Sequence, residues 1–300
     1  MQTILSEYNH EIPAVRANLY RILNFGKLAG TGKLIILPVD QGFEHGPDVS
    51  FIKNPCAYDP IYHLNLALDC GVNAYAAPIG MLEVAAAQKP GVIPMILKLN
   101  SSNSLKSMQQ EPYQAVTSTV KDALKLGCVG VGFTIYPGSE NCDEMLMQVQ
   151  NIFQHAKELG LICIIWSYPR GQSISNDTAL DIVSYAAHIG ALTGAHIIKV
   201  KLPSEKLANE KLCDDYTKIG IDIHNLTHRV QHIKRCAFNN RRIVLFSGGQ
   251  HKNEESLLNE IQAIKNGGGD GSIIGRNLFQ REKSQAVSLV NKIIDLYLHS

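Results

Sequence analysis

Little in this chain of 300 residues points to a metal, a disulfide or a nucleotide. Its eleven histidines include no H-x-H and no H-E-x-x-H, so no zinc-type spacing is present. Its seven cysteines form an odd set without a single C-x-x-C, which argues against a disulfide framework and reads as reduced, mostly structural thiols. No G-x-G-x-x-G follows the first apolar run, and that removes the dinucleotide fingerprint. Charge of one sign is missing too: 28 basic and 27 acidic residues lie scattered without blocks and leave a formal +1. Such a balance offers no electrostatic footprint to nucleic acid or to an anionic membrane, so any anionic ligand must be gripped locally. No run approaches the roughly 18 apolar residues of a spanning helix, and the first ten residues carry no basic flank leading into an apolar segment. The expectation is a cytoplasmic protein with no metal, no cofactor, and neither nucleic acid nor membrane as a partner.

What the chain does have is alternation. With 45% hydrophobic residues it can bury a large core. Short apolar runs at 34–39, 73–78, 93–99, 129–134, 161–166, 196–201, 243–247 and 272–275 read as strands. Segments of helical period separate them, at 59–70, 112–126, 140–159, 178–193, 221–237, 253–265 and 283–298, with a shorter one after Ile79. Gly127, Gly160, Gly194 and Gly267 supply helix stops just before strands. Eight continuously apolar strands, each followed by a helix, predict a parallel sheet covered on its outside, and eight strands close a (β/α)8 TIM barrel. An open doubly wound sheet is the alternative. Residues 1–32, with a helix over 15–28, form a helical N-terminal extension that packs on the barrel or on a neighbouring subunit. No linker or repeat divides residues 1–300, so one barrel domain is expected.

The sixth strand carries charge. Lys199 and Lys201 stand at i and i+2 on one face of an otherwise β-branched run. Lysine is seldom buried without a partner or a task. Desolvation beside a second cation lowers the basicity of an amine, and a neutral amine attacks carbonyl carbon. The competing reading is an edge strand with two solvated lysines. In a barrel the reacting groups gather at the carboxyl ends of the strands. There Asp40 follows the first strand within Asp40-Gln41-Gly42-Phe43-Glu44-His45-Gly46-Pro47, as a ligand to a hydroxyl or lysine, or as a turn-former. Trp166 and Tyr168 share a face after the fifth strand; the phenol becomes an acid and base if nearby cations bring its pKa down from about 10. Ser247-Gly248-Gly249 and Gly275-Arg276 end the last two strands, where such barrels hold phosphate on backbone N–H groups, with Arg276 as a bidentate clamp. Lys98 stays open among a rival nucleophile, a charge that tunes Lys199, and a snorkelling side chain. Thr134, Tyr136 and Ser139 at the fourth strand's end are further candidates for substrate contact.

Taken together, the D-Q-G-x-E-H-G-P and W-S-Y-P-R-G runs, the I-I-K-V-K strand, and the S-G-G and G-R-N endings resemble the archaeal-type (DhnA-like) class I fructose-1,6-bisphosphate aldolases. The similarity runs in consistent order from about Leu28 to Tyr297, and Gln41 matches the bacterial branch, where archaeal members often have His. The resemblance implies reversible cleavage of fructose 1,6-bisphosphate to dihydroxyacetone phosphate and glyceraldehyde 3-phosphate. It makes Lys199 the Schiff-base lysine, Tyr168 the proton donor and acceptor, Asp40 and Trp166 their partners, and the Ser247–Gly249 and Gly275–Arg276 segments a phosphate cradle. It also implies a homo-oligomer. Where archaeal relatives commonly follow the lysine strand with an aromatic-Thr-Gly-Asp turn, this chain has Leu202-Pro203-Ser204-Glu205, so contacts of that loop do not carry over. Two other readings keep the fold: a related Schiff-base enzyme of the aromatic-precursor or acyl-transfer kind, and a non-catalytic sugar-phosphate-binding protein.

Overall fold

The structure, a computed structural model, describes residues 1–105, 110–247 and 252–299. Eight parallel strands close a barrel in chain order: β1 Leu34–Pro38, β2 Ala74–Ala77, β3 Met95–Lys98, β4 Gly130–Ile135, β5 Ile162–Ser167, β6 Ile197–Val200, β7 Ile243–Ser247 and β8 Gly271–Ile273, which pairs back to β1. These are the eight expected runs, with ends displaced by one or two residues. Their apolar continuity follows from burial on both faces, by the barrel interior and by the outer helices.

The helices Pro60–Cys70, Ile79–Gln88, Cys142–Glu158, Leu180–Leu192, Glu254–Asn266 and Lys283–Leu298 lie where the periodicity placed them. Three expectations need correction, the first being the helix expected over 15–28, which runs over Pro13–Leu23 and is capped at Asn24. The helix expected over 112–126 is confined to Val120–Lys125, because Thr119 forms a capping box with Asp122 and starts the helix there. Upstream, Ala115–Val116 instead pairs antiparallel with Asn100–Ser101 in a small ribbon over the β3 end of the barrel. The helix expected over 221–237 begins only at Leu226, where the Asn225 side chain accepts from the Thr227 N–H. Among the helix stops, Gly127, Gly160 and Gly194 do adopt positive φ, but at the fourth it is Gly268, not Gly267, that turns left-handed.

Strand parity sorts the side chains. The second and fourth members of strands, such as Ile35, Leu37, Ile165 and Ile198, join the layer under the outer helices, while Leu34, Ile36, Ile162, Ile164, Trp166 and Ile197 fill the barrel interior. The lower interior is sealed by the N-terminal extension, whose helix Pro13–Leu23 contributes Val15, Leu19, Ile22 and Leu23 to that same cluster. Pro13 opens this helix at a position that needs no N–H donor. Of the two packing options left open by the sequence, the extension packs on its own barrel.

Polar contacts fasten the seal. The Tyr8 hydroxyl donates to the His196 carbonyl at 2.6 Å and accepts from the Ile243 N–H at 3.1 Å. Glu11, with its side chain 8% exposed, lies 2.9 Å from Lys157 Nζ and 3.1 Å from His196 Nε2. The other nitrogen of that ring, Nδ1, accepts from the Cys163 N–H at 2.8 Å. The His196 contact first, and then Lys157, bring the Glu11 carboxyl down to about 2 from its usual 4.5, against the opposing effect of burial.

A carboxyl whose folded pKa is depressed stabilises the fold above its unfolded pKa and loses that contribution as pH falls toward the folded value. Wild-type unfolding free energy, measured by urea titration, is therefore expected to drop by about 1–3 kcal/mol between roughly pH 5 and 2 through this one group. Glu11→Gln should remove that part of the slope; an identical acid profile in the variant would show that Glu11 does not fasten the extension.

Candidate active site

The upper interior changes character within one layer. On β3 and β6 the inward parity that carries Ile96 and Ile197 next delivers Lys98 and Lys199, and on β5 it delivers Trp166 beside Lys199. Opposite Lys98 in register stands Gly132 of β4. A Cβ there would meet the Trp166 ring at 2.0 Å, so the absent side chain is what lets the indole lie across the barrel. Lys98 Nζ and Lys199 Nζ each sit 5.8 Å from the indole centre, within range of the ring's negative face. Lys199 also lies 5.4 Å from the Tyr168 ring centre.

The two lysines are held differently. Lys98, 2% exposed, donates to the Asn100 carbonyl, to Asn100 Oδ1 at 3.2 Å and to Gln114 Oε1 at 3.0 Å, and its ammonium is 4.0 Å from Asp40. Asn100 is itself fixed, exchanging hydrogen bonds of 2.8 Å with both backbone groups of Thr134. Of the three readings left open for Lys98, the anchored, charge-tuning one fits these contacts. Lys199, 7% exposed, borders a cavity of about 510 Å³. Burial brings its pKa from 10.5 to about 8; Asp40 and Glu44 oppose the shift, and Lys98 and Arg276 add to it.

This cavity brings together most of the residues singled out from sequence: Asp40, Trp166, Tyr168, Lys199, Lys201, Ser247, Gly275 and Arg276 all line it. Gly248 and Gly249 lie outside the described residues. Thr134 is also at the wall, whereas the Ser139 hydroxyl donates to the Pro112 carbonyl instead. At Gly275 the backbone runs so close to β1 that a Cβ would meet the Pro38 carbonyl oxygen at 2.8 Å.

Two electrostatic expectations fail. Lys201 was to be the second cation pressing on Lys199, but its ammonium is paired with Asp177, and the cations that act on Lys199 are Lys98 and Arg276. The condition set for the Tyr168 phenol, a pKa brought down from about 10, is not met: burial, with Glu44 and Asp40 beside it, pushes the pKa well above 10, and Arg170 only partly offsets this. Tyr168 is thus kept as a neutral phenol, able to give a proton.

Sequence reasoning passed over several wall and support residues. Glu44, Arg170, Thr178 and Lys252 line the cavity. Gln114, fully buried, donates to the Tyr136 hydroxyl at 2.7 Å and reaches Glu44 Oε1 at 3.4 Å while accepting from Lys98. Arg170 lies over the Tyr136 ring at 5.0 Å. Glu44 had a signal, since it stands one helical turn after Asp40 and so on the same side. Gln114 had none, because its segment was read as helix.

The DeoC/LacD family of aldolases matches this chain over residues 34–281, and the chain belongs to that family. It is 36% identical over 300 residues to a protein of Chlamydia trachomatis described as "Probable fructose-bisphosphate aldolase class 1", covering 95% of this chain and 84% of that one. It is 35% identical over 254 residues to the "Fructose-bisphosphate aldolase class 1" of Thermoproteus tenax, covering 84% and 86%. In three dimensions it is similar, at a TM-score of 0.77 and 31% identity over 93% of this chain and 98% of the other, to an archaeal fructose-1,6-bisphosphate aldolase with its catalytic Lys covalently bound to the carbinolamine intermediate of the substrate.

Because Lys98 adds a like charge to the surroundings of Lys199, Lys98→Met should raise the pKa of the Lys199 amine from about 8 toward that of an ordinary lysine. The midpoint can be followed by the pH dependence of reductive methylation at Lys199, read by mass spectrometry. A midpoint unmoved in the variant would remove Lys98 from the tuning of the amine.

Proposed function

We propose that this member of the DeoC/LacD aldolases is a class I fructose-1,6-bisphosphate aldolase, an aldehyde-lyase that works through a Schiff base on Lys199. The observation that carries the reading is an amine with a pKa of about 8, where an ordinary lysine has 10.5, at the wall of a cavity that also presents Asp40, Tyr168 and Arg276. At neutral pH that shift multiplies the free-amine fraction by roughly 10² or more. The family and the relatives named above favour an aldolase over an aromatic-precursor enzyme, an acyltransferase or a non-catalytic binder.

In this reading Lys199 attacks the C2 ketone of the open-chain sugar, and Asp40 stabilises the ammonium form and the cationic intermediates that follow. Tyr168, held protonated, gives a proton to the hydroxyl that leaves the carbinolamine as water and, with a pKa well above 10, takes one back from solvent in the cavity before cleavage. The resulting iminium draws in the electron pair released when the C3–C4 bond breaks. Trp166 forms the apolar floor that keeps water from the nitrogen. Ser247, Gly275 and Arg276 grip one phosphate, with Lys201 and Lys252 on the same rim, so that remote binding fixes the ketone against the amine. The same reading carries a single barrel domain over residues 1–300 and a cytoplasmic homo-oligomer.

Borohydride added in the presence of fructose 1,6-bisphosphate should leave a reduced covalent adduct on Lys199, located by peptide mass. Lys199→Ala is expected to lose the adduct and roughly 10⁴-fold or more of the turnover. Normal turnover in that variant, or an unchanged adduct on another lysine, would end the assignment. Arg276→Ala should raise KM for the bisphosphate about 10- to 100-fold with a smaller change in kcat, as expected for a lost charged hydrogen bond to phosphate. An unchanged KM would place the phosphate elsewhere.

A further inference from the structure

Cleavage of the C3–C4 bond requires a group that accepts the proton of the C4 hydroxyl, and the cavity narrows the choice. Lys199 is occupied as the iminium. Tyr168 is held as a neutral phenol by its burial and by the two carboxylates beside it. Asp40 has a fixed cation 4.0 Å away, because Lys98 is tied to Asn100 and Gln114 and cannot withdraw. That carboxylate is engaged in holding the Lys98 amine.

Glu44 is placed otherwise. It sits one turn after Asp40 on the short helix Gln41–His45, its N–H donating to the Asp40 carbonyl at 3.1 Å, and it lines the same cavity as Tyr168, Arg170 and Lys199. The Gln114 amide reaches it only at a long 3.4 Å from Oε1, and His45 Nε2 lies 3.8 Å from Oε2. The groups that face it are Asp40 after β1, Lys98 on β3, Tyr136 after β4, Tyr168 and Arg170 after β5, Lys199 on β6, and His45 on its own helix. We propose that Glu44 is the catalytic base of carbon–carbon cleavage, with Asp40 serving to hold the two lysines. This rests on the Schiff-base aldolase reading.

The Glu44 carboxylate takes the C4 hydroxyl proton. The oxygen lone pair becomes the second bond of the C4 aldehyde as C3–C4 breaks, and the released pair forms the C2–C3 double bond of an enamine, neutralising the iminium nitrogen. Glyceraldehyde 3-phosphate departs. The carboxylic acid then returns its proton to C3, directly or through the Tyr168 phenol, and water hydrolyses the regenerated iminium to dihydroxyacetone phosphate and the Lys199 amine. A group that takes and gives a proton in one cycle works best with a pKa near the working pH. Burial first, and then the Asp40 charge, raise Glu44 to about 7 against the pull of Lys98, Arg170 and Lys199.

The test compares wild type, Glu44→Gln and Glu44→Asp by borohydride trapping with fructose 1,6-bisphosphate and by the pH profile of kcat/KM. Glu44→Gln should still form the adduct on Lys199, now as the uncleaved six-carbon bisphosphate in place of the three-carbon phosphate, while cleavage slows about 10²- to 10⁴-fold. The wild-type profile should fall below about pH 7 on its acid side. That limb should vanish from the residual activity of Glu44→Gln and persist, with a moved midpoint, in Glu44→Asp. Cleavage within threefold of wild type in Glu44→Gln, an acid limb that survives there, or loss of the adduct itself in that variant would overturn the proposal. Absence of any Lys199 adduct in the wild type would instead sink the Schiff-base reading, so the two failures are told apart.

Discussion

Everything in this molecule turns on placing two lysine amines in the apolar interior of a closed barrel. Removing an ammonium from water costs several kcal/mol unless partners replace the hydration shell. Burial lowers the pKa of both buried lysines, but the fold surrounds them differently. Lys98 receives a carbonyl, two side-chain amide oxygens and the Asp40 carboxylate, which hold it in place while burial lowers its pKa against the pull of Asp40 and Glu44. Lys199 faces the Trp166 and Tyr168 rings and the cavity. Its desolvation is relieved in part by losing the proton, the one response that makes an amine reactive. Trp166 sets the spacing, with both amines at 5.8 Å from its indole, and Gly132 gives the indole its room.

That arrangement demands a stiff scaffold, and the barrel is stiffened from below. The N-terminal extension closes the lower interior with Val15, Leu19, Ile22 and Leu23, and it is pinned to the first residues of the strands through Tyr8 and Glu11. His196, one residue before β6, is among the pinned groups. The strand that ends in the reactive amine is therefore anchored at its start by the extension, two residues of apolar core away from Lys199. A site is precise when the elements that carry it are locked by packing at a distance from the chemistry.

The barrel was legible in the sequence because parallel strands buried on both faces leave continuous apolar runs, and each of the eight runs became a strand. The site was legible where a charge interrupts such a run: Lys199, Lys98 and Asp40 announce themselves against their strands. What could not be read is what crosses between strands. The pairing of Lys201 with Asp177 joins two loops 24 residues apart, and nothing local in either marks it. Tyr168 was judged by its neighbours in the chain, among which Arg170 is cationic, whereas Asp40 and Glu44 approach it from across the barrel and reverse the direction. The segment 112–126 satisfied a helical period, yet its first half is needed as the ribbon and the loop that insert Gln114 between Lys98 and Tyr136.

The two carboxylates of the first loop show how much depends on one turn of helix. Asp40 and Glu44 have the same chemistry and share one wall, yet the fold brings the anchored Lys98 amine to 4.0 Å from Asp40, while burial and the Asp40 charge raise Glu44 against Lys98, Arg170 and Lys199. Environment alone separates their roles, as it separates those of Lys98 and Lys199. In each pair burial moves one member toward neutrality, the Glu44 carboxyl up to about 7 and the Lys199 amine down to about 8. A cavity built so can hold a phosphorylated ligand through Arg276 while Glu44 and Lys199 gain and lose protons near neutral pH. Because the carboxyl is neutral when protonated and the amine when deprotonated, a proton moving between such groups creates or removes charge in pairs, which a low-dielectric site tolerates better than a lone buried charge.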